Sequence, residues 1–405
     1  MSVRHDVAVI GAGPGGSSAA SWLAQAGLDV ILLDKAEFPR DKTCGDAISP
    51  RAVHVLDKLG LTDAVQQAGH PAKGVTVISP AGVRMQTDFP DEPPFGRLAY
   101  VITRYQLDHL IQQHAVECGA RFRSGFHAAN IESNAKGVRV QGKVLHGESS
   151  ILARVAIVAV GASTPLLHRI GLLPEPVGFS FAARAYFRGL SALDQNIQLR
   201  FDGVPLPGYG WIFPLSDDSA NVGAGYYRPT PDTPSTPVAA LREFLVHPAV
   251  QPQFRRAKQI GPVKGFPLRT DFHRSPTFGP RTLLVGEAAG LVNPFTGEGI
   301  DYALESGELA AQSILRAFGD GTFGAGRLRA YDRALRRRFQ HTFVYTHLLR
   351  RVYMNEGLLN PLIRAADRWP TVADRLIRIL SSYESPLTAF SPVMIARVLA
   401  SMRSS

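Results

Sequence analysis

Cysteine is scarce in this sequence: Cys44 and Cys118 are the two that occur among 405 residues. Two thiols cannot build a disulfide framework, and such low cysteine use is typical of proteins in a reducing compartment. Apolar runs long enough to cross a bilayer are also missing. The apolar stretch near the N-terminus is interrupted by Gly11 and Gly13, unlike that of a signal peptide. These absences predict a cytoplasmic protein.

Several kinds of active site are missing as well. The 12 histidines are scattered, and His341 and His347 lack acidic partners at the spacing of metal ligands, so we expect no metal site. No serine stands in a nucleophile elbow, which argues against a Ser-His-Asp hydrolase. No second G-x-G-x-x-G follows a strand, so we expect no separate nicotinamide-binding domain, and the glycine-rich stretch 319–326 is interpreted as a connection between helices.

Lysine is absent from the last quarter of the chain, where arginine is abundant. Residues 312–405 contain 15 arginines and 6 acidic residues, so most of the net charge of +10 lies here. Such a region contacts an anionic partner or is a solvated helical face. We expect no nucleic acid. Three interpretations of the arginine-rich region stay open: a solvated face, a contact with a diphosphate, and a peripheral contact with an anionic membrane. The membrane contact would involve Arg336–Arg338 and the amphipathic stretch 373–380.

The order of predicted elements indicates that the chain returns to its first domain after an insertion. These elements are strand His5–Ile10, helix Pro14–Ala26, strand Val30–Leu33, helices near Arg51–Leu59 and Arg104–Glu117, β-rich stretches 75–101, 122–159 and 179–227, a proline-rich connection 227–237, strands near 263–266 and 282–285, and helices after Gly299. The first three form a β-α-β unit.

A glycine-rich loop joins the first strand to the first helix. Gly11, Gly13 and Gly16 match G-x-G-x-x-G, in which the glycines allow a tight turn, close approach of a pyrophosphate and close packing of helix on strand. The helix start offers free N–H groups to the anion. Asp34 ends the second strand, where a carboxylate accepts hydrogen bonds from a ribose that carries no 2′-phosphate. The loop therefore predicts FAD or NAD.

A second glycine-rich loop, "GEAAGLVNPFTGEGIDYALESG" at 286–307, lies far along the chain. It follows a strand at 282–285 and leads into a helix with Ile300 on its apolar face. NAD has no need of a second helix start, whereas the ribityl chain and ring of FAD extend far from the first loop. Two such loops therefore favour FAD.

These stretches resemble a known group. The second loop is similar to the second FAD motif of flavoproteins with the p-hydroxybenzoate hydroxylase fold, and "TRYQLDHLI" (103–111) is similar to the helix whose arginine, Arg104 here, contacts the cofactor in that group. Within it, "KTCGDAISP" (42–50) and "GYGWIFPLSDDSANVGAG" (208–225) resemble signatures of the geranylgeranyl reductase family.

The resemblance implies an α/β fold with a Rossmann-like FAD-binding domain, an inserted β-sheet substrate domain and a C-terminal helical region. The expected boundaries are 1–72, 101–175 and 271–320 for the FAD-binding parts, 73–100 and 176–270 for the substrate domain, and 321–405 for the helical region. The residues expected to contact the cofactor are Gly11, Gly13, Pro14, Gly15, Gly16, Asp34, Lys35, Arg40, Cys44, Gly45, Arg104, Gly286, Glu287, Pro294, Gly297, Gly299 and Ile300.

The family implies reduction of isolated carbon–carbon double bonds in an isoprenoid chain by hydride from reduced FAD. Such an alkene is a poor electrophile and must be held against the flavin with water excluded. Tyr209, Trp211 and Phe213 alternate along a strand and share one face, so they are candidates to line a tunnel, as are Phe179 and Phe181. The alternative interpretation is that these aromatic side chains form the core of the sheet.

Cys44, Tyr209 and Trp211 are the candidate catalytic residues. Arg40 and Lys42 near Cys44 favour its thiolate, and the resemblance implies that Cys44 contacts substrate or takes part in proton delivery. An isolated cysteine is otherwise a small buried apolar residue. Cys118, at a helix end, is interpreted as structural.

Two positions depart from the family pattern. The second motif begins with Gly286-Glu287 in place of Gly-Asp, which still offers a carboxylate to a ribityl hydroxyl. In "AVGAS" (159–163), Val160 stands where an aspartate is expected, which removes a carboxylate near the cofactor entrance. The reductant, NADPH, NADH or ferredoxin, is therefore left open.

Three other functions compete with prenyl reduction. An FAD monooxygenase acting on an aromatic or polyketide-like substrate uses the same fold. A halogenase is disfavoured because Tyr209 and Phe213 break its Trp-x-Trp-x-Ile-Pro pattern. A carrier whose chemistry has decayed would account for Val160 and Glu287.

Overall fold

The computed structural model describes residues 4–173, 179–227 and 236–402. Its strands are β1 (Arg4–Ile10), β2 (Val30–Leu33), β3 (Ala47–Ile48), β4 (His70–Ala72), β5 (Gly74–Ile78), β6 (Arg84–Asp88), β7 (Ala99–Val101), β8 (Arg121–Arg123), β9 (His127–Asn134), β10 (Gly137–Val144), β11 (Gly147–Val158), β12 (Phe179–Arg188), β13 (Ile197–Arg200), β14 (Gly208–Pro214), β15 (Ser219–Tyr226), β16 (Lys258–Arg269), β17 (Phe278–Gly279) and β18 (Thr282–Leu284).

The helices are α1 (Pro14–Gln25), α2 (Pro50–Lys58), α3 (Thr62–Ala68), α4 (Arg104–Glu117), α5 (Pro165–Arg169), α6 (Pro237–Val246), α7 (Gln251–Phe254), α8 (Ile300–Gly319), α9 (Ala325–Leu335), α10 (His341–Tyr353), α11 (Glu356–Arg368), α12 (Pro370–Leu380) and α13 (Pro392–Met402). Short 3₁₀ turns occupy Gly286–Ala289 and Pro386–Phe390, and a π-helical turn, Arg336–Gln340, joins α9 to α10.

The first sheet brings the ends of four parallel strands to one edge. Its order is β17-β18-β11-β1-β2-β8, and the antiparallel β9 and β10 extend it from β11. Ile10 pairs with both Leu33 and Val158, and Val158 pairs in turn with Leu284. Strands β1, β2, β11 and β18 therefore end side by side, and the loops that follow them meet in the crevice where ligands of open α/β sheets bind.

Helices α1 and α8 cross in contact beside this edge. A Cβ on Gly307 would lie 2.5 Å from the carbonyl oxygen of Gly15, and a Cβ on Gly15 would lie 3.0 Å from that of Ala303. The Ser18 hydroxyl donates to the Leu304 carbonyl at 2.9 Å. Backbone meets backbone at this crossing because glycine carries no side chain.

The second sheet is assembled from distant parts of the chain. Its order is β16-β12-β15-β14-β13-β5-β6, antiparallel except for the parallel pair β13 and β5. A small third sheet has the order β3-β7-β4. The predicted α/β architecture with an inserted β-sheet is confirmed, whereas the exact domain boundaries stay a prediction.

Most predicted elements agree with the structure. The helix Arg104–Glu117 has the predicted bounds because Thr103 caps it, accepting a hydrogen bond from the backbone N–H of Gln106. The strand expected near 263–266 is the middle of the longer β16. The proline-rich connection predicted at 227–237 falls largely outside the described residues.

The C-terminal helices correct one part of the membrane hypothesis. The stretch 373–380 belongs to α12, whose apolar side is turned into the protein, where Ala373, Ile377 and Ile379 are buried. Two of the three adjacent arginines also have partners within the protein. Arg336 donates to Asp332 at 2.9 Å, and Arg338 pairs with Glu305. These groups are therefore engaged in holding the fold together.

Within the part of the chain that the structure describes, no helix combines the length and the apolar character that a bilayer span requires.

The crossing of α1 and α8 generates the first testable prediction. We expect Gly307→Ala to lower the free energy of unfolding by about 1–3 kcal/mol, because the new methyl overlaps backbone that cannot move aside. Gly319→Ala, at the end of the same helix with no atom near its Cβ position, is the matched control and should be neutral or slightly stabilising. Urea unfolding of both variants measures the difference, and equal stabilities would contradict the role assigned to the crossing.

Candidate functional site: a cavity between two glycine loops

A cavity of about 1310 Å³ extends between the two glycine-rich loops. Gly13 of the first loop and Gly297 of the second both line it, so the two turns face one space. This volume exceeds the usual range for one small ligand, roughly 300–1,000 Å³. The cavity therefore has room for a large cofactor and a further molecule.

The first loop is shaped for close approach of an anion. Gly11 has φ of +102°, and a Cβ there would lie 2.3 Å from the carbonyl oxygen of Ala159. Gly13 precedes α1, no side chain caps this helix start, and Pro14 is its first residue. The helix start is thus open to the cavity, as a pyrophosphate site requires.

Two arginines converge on the first loop. A Cβ on Gly13 would lie 3.7 Å from a guanidinium nitrogen of Arg40 and 3.8 Å from one of Arg104. The buried carboxylate of Asp108 orients both of them: it accepts from Arg104 at 2.7 Å and lies 2.9 Å from Arg40. Asp108 is a residue that the sequence analysis missed, although its spacing of four from Arg104 on a helix is a usable signal.

Asp34 lies where a ribose is expected. Its carboxylate lines the cavity and accepts hydrogen bonds from the backbone N–H groups of Ala12 at 2.8 Å and Ala36 at 2.9 Å. These two bonds fix the side chain and leave acceptor capacity on both oxygens. Lys35, which is exposed, lines the rim beside it.

The second loop turns at Gly286, whose φ is +58°, and carries Glu287 into the cavity wall. One oxygen of Glu287 accepts from the backbone N–H of Arg269 at 3.1 Å, and the other lies 3.6 Å from the Lys42 ammonium. Val160 lines the cavity nearby. The glutamate that departs from the family pattern is therefore paired with a lysine.

Cys44 and the aromatic strand belong to one wall of the cavity. A Cβ on Gly45 would lie 2.9 Å from the ring of Phe213 and 3.4 Å from the indole nitrogen of Trp211. Tyr209 and Trp211 have ring centroids 6.0 Å apart and share a face, as predicted. The two stretches that resemble geranylgeranyl reductases are thus in contact with each other.

A buried carboxylate that the sequence analysis did not single out fixes the turn after Cys44. Asp46 has φ of +68° and accepts from the Tyr186 hydroxyl at 2.7 Å and from the Asn221 amide at 2.8 Å. The same amide donates to the Cys44 carbonyl at 2.8 Å. Burial raises the pKa of Asp46 to about 6, although these hydrogen bonds oppose the shift.

Not every predicted site residue lines the cavity. Gly16 packs against the carbonyl of Gly11, where a Cβ would lie only 1.9 Å from the oxygen. Pro294 is buried, and its carbonyl accepts from Arg350 at 3.1 Å. Both residues therefore shape loops rather than face a ligand. The predicted residues that do line it are Gly11, Gly13, Pro14, Gly15, Asp34, Lys35, Arg40, Cys44, Gly45, Arg104, Tyr209, Trp211, Gly286, Glu287, Gly297, Gly299 and Ile300.

Three further residues discussed from the sequence are Phe179, Phe181 and Cys118. Phe181 lines the cavity, while the side chain of Phe179 lies outside the described residues. Cys118 lies away from the cavity wall and receives a hydrogen bond from Gln25 at 3.3 Å. In the described residues, no cluster of three or more His, Cys, Asp or Glu side chains is arranged to hold a metal ion.

A smaller cavity of about 70 Å³ adjoins the large one. Leu199, Tyr209, Thr296 and Leu380 line both. The remaining wall of the small cavity is wholly apolar or aromatic, with Leu359 and Ile363 of α11 among its residues. The small cavity therefore lies directly behind Tyr209 and shares a wall with the large one; we call it the apolar extension.

The cavity has an open helix start, two arginines held by Asp108, and the second loop across from them. These features fit a long dinucleotide with a ring at one end, and they define a flavoprotein of the FAD-dependent oxidoreductase class. The chain belongs to the FAD binding domain family, whose model matches residues 4–344. This confirms the predicted cofactor, FAD.

Comparison with named relatives and with solved structures points to the same family. Menaquinone reductase of Mycobacterium tuberculosis is 36% identical over 324 residues, 76% of each chain. Digeranylgeranylglycerophospholipid reductase 1 of Methanopyrus kandleri is 31% identical over 349 residues, 84% of this chain and 88% of the relative. A geranylgeranyl bacteriochlorophyll reductase-like protein from Thermoplasma acidophilum superposes with a TM-score of 0.78 over 99% of this chain and 96% of its own, and at 22% identity shows the shared fold. The family resemblance is thereby confirmed.

The space around Gly13 generates a second prediction. A methyl at this position meets its neighbours at ordinary contact distances, so Gly13→Ala should leave the stability of the flavin-free protein within about 0.5 kcal/mol of wild type. It should nevertheless weaken FAD binding at least about tenfold, because the methyl projects into the site of the pyrophosphate. Titration of flavin-free protein with FAD, followed by fluorescence, measures the affinity. Gly16→Ala is the contrasting variant and should lose stability instead; unchanged FAD affinity in Gly13→Ala would contradict the placement of the cofactor.

Proposed function

We propose that the protein reduces carbon–carbon double bonds in the isoprenoid chain of a lipid. The observation that carries this proposal is the apolar extension behind Tyr209, whose mostly apolar lining suits part of a hydrocarbon chain. The names of the relatives, which are reductases of menaquinone and of a digeranylgeranyl lipid, point to the same class of substrate.

Bound FAD, once reduced, supplies hydride to one carbon of the double bond. The residues that would hold it are those of the two loops, with Arg40 and Arg104 at the pyrophosphate, Asp34 at the ribose and Glu287 at the ribityl chain. The helix starts would orient the cofactor, and the buried residues of the cavity wall would keep water from the reacting atoms.

The aromatic strand is the proposed substrate wall. The Tyr209 hydroxyl donates to the Thr296 carbonyl at 2.6 Å, which leaves its ring to line the cavity. Trp211 is held in the same way, because its indole N–H donates to Asn221 at 3.0 Å. Together with Cys44 on the same wall, these side chains would press an alkene against the flavin, so positioning rather than activation of the alkene supplies the rate.

Mass spectrometry of products tests this function. Reduced protein incubated anaerobically with menaquinone or a digeranylgeranyl phospholipid should add two hydrogens per bond, with NADPH, NADH and reduced ferredoxin compared as donors. Incorporation of oxygen in air would favour the monooxygenase alternative, and no reaction with either lipid would refute the proposal.

Leu359→Phe, which fills the apolar extension, should lower turnover of long-chain menaquinone about tenfold and spare short-chain menaquinone. Leu358→Phe, adjacent but outside the cavity wall, is its control.

We further infer a cytoplasmic protein that contacts anionic membranes through its C-terminal surface. Large exposed apolar side chains concentrate there: Val344 and Leu348 on α10, Leu387 on the 3₁₀ turn, and Val393, Ile395 and Leu399 on α13. Arg337 and Arg351, both exposed, flank the apolar groups of α10. Apolar side chains beside arginine suit the interface of an anionic bilayer, from which a lipid substrate would enter.

Vesicle flotation tests this surface. Leu399→Asp and Arg337→Glu should each reduce binding to vesicles that contain phosphatidylglycerol, and binding of the wild type should weaken as salt rises. Leu145→Asp replaces a leucine that is more exposed than Leu399 and lies far from it in the chain, on the β10–β11 hairpin, and this variant should bind as wild type does. Binding that is insensitive to Leu399→Asp would contradict the proposal.

A further inference from the structure

Glu298 stands at the point where the second loop enters α8. Glu298 lines the large cavity together with Ser49 and Tyr209. The backbone around it is fixed, because its N–H donates to the Thr296 hydroxyl at 3.2 Å and its carbonyl accepts from the Asn293 N–H at 2.8 Å. The backbone of Glu298 is therefore held in one conformation in the cavity wall.

A buried charge cluster lies behind this carboxyl. Arg51, only 2% exposed, donates to Asp301 at 3.1 Å and to Glu305 at 3.0 Å. Arg338 also pairs with Glu305. The cluster thus contains two arginines and three carboxyl groups, counting Glu298. Both arginines already form ion pairs with Asp301 or Glu305.

Glu298 is the carboxyl left without a cation of its own. Across the residues that the structure describes, it forms no ion pair within 4.0 Å. Burial and repulsion from Asp301 raise its pKa, and they outweigh the Ser49 hydrogen bond and attraction to Arg51. A neutral carboxylic acid is consequently retained at the cavity wall near neutral pH.

The proposed reaction consumes one proton for each hydride. The Tyr209 hydroxyl is a poor source, since its proton is directed at the Thr296 carbonyl and burial raises its pKa. The Tyr227 hydroxyl is likewise directed at the Phe295 carbonyl. Glu298 lines the same cavity.

We propose that the carboxylic acid of Glu298 donates the proton that completes reduction of the double bond. As hydride from reduced FAD reaches one alkene carbon, the π bond breaks and the O–H bond of Glu298 breaks to form the second C–H bond. Glu298 is left as a carboxylate and the flavin is oxidised; water restores the proton after the product leaves. This role rests on the proposed function.

Kinetics of the Glu298→Gln variant provide the first test. This change keeps the shape and removes the proton, so reoxidation of dithionite-reduced enzyme by a digeranylgeranyl phospholipid should slow at least about 100-fold, as expected for loss of a general acid. The two rates are compared at saturating FAD. The wild-type rate should fall as pH rises and the acid ionises, while the variant rate should lose this dependence.

Two measurements need no turnover. Infrared spectra at neutral pH should contain the carbonyl stretch of a protonated carboxylic acid that Glu298→Gln removes. Stability should also respond to pH. Between the ordinary pKa of 4.5 and the raised value of about 8, the folded state holds a proton that the unfolded state has released, so stability is lost as pH rises. The equilibrium constant for folding should therefore fall up to about tenfold more per pH unit in wild type than in Glu298→Gln.

Wild type and Glu298→Gln share all the other titratable and charged groups of this region. These are Asp301, Glu305 and Tyr302 on α8, Arg51 on α2, Arg338 after α9 and Tyr209 on β14. Three outcomes overturn the inference: a rate for Glu298→Gln within about tenfold of wild type, absence of the infrared band, or loss of the pH dependence in Cys44→Ser rather than in Glu298→Gln. A wild type that reduces neither lipid refutes the proposed function, and this role with it, whatever the infrared result.

Discussion

The close crossing of α1 and α8 is the contact on which the site depends. Gly15 and Gly307 let the backbones of the two helices meet, and the Ser18 hydroxyl joins them through the Leu304 carbonyl. Each helix begins at one of the glycine-rich loops, so the separation of the two loops is set by this crossing. A larger residue at either glycine would part the helices and with them the two ends of the cofactor site.

Charge is distributed unevenly along the cavity, and the distribution follows the chemistry of FAD. Arg40 and Arg104, both oriented by Asp108, supply positive charge where the pyrophosphate is expected. Toward the second loop, Glu287 is paired with Lys42. Behind Tyr209 the wall is apolar. An anionic cofactor therefore has one favourable orientation, with its charged group at Arg40 and Arg104, since a buried unpaired charge is costly.

Several arginines of the C-terminal quarter bond to other parts of the protein, which the amino-acid composition alone did not reveal. Arg350 donates to the Pro294 carbonyl of the second loop, Arg338 pairs with Glu305 on α8, and Arg336 donates to the Ser275 carbonyl. These contacts tie the last helices to the flavin-binding part of the chain. Net charge counts residues without regard to partners, which is why it overstated the cations available to a membrane.

The sequence by itself determined the elements whose signals are local: the βαβ unit, the bounds of α4, and the two loops, because periodicity, caps and glycine act over a few residues. Only the tertiary structure decided which distant side chains meet. Asp46 and Asn221 are 175 residues apart, and Arg51 and Glu305 are 254 apart. It also decided that α12 turns its apolar side inward and that an apolar extension opens behind Tyr209. Such contacts arise from packing of whole elements, and no short pattern in the chain encodes them.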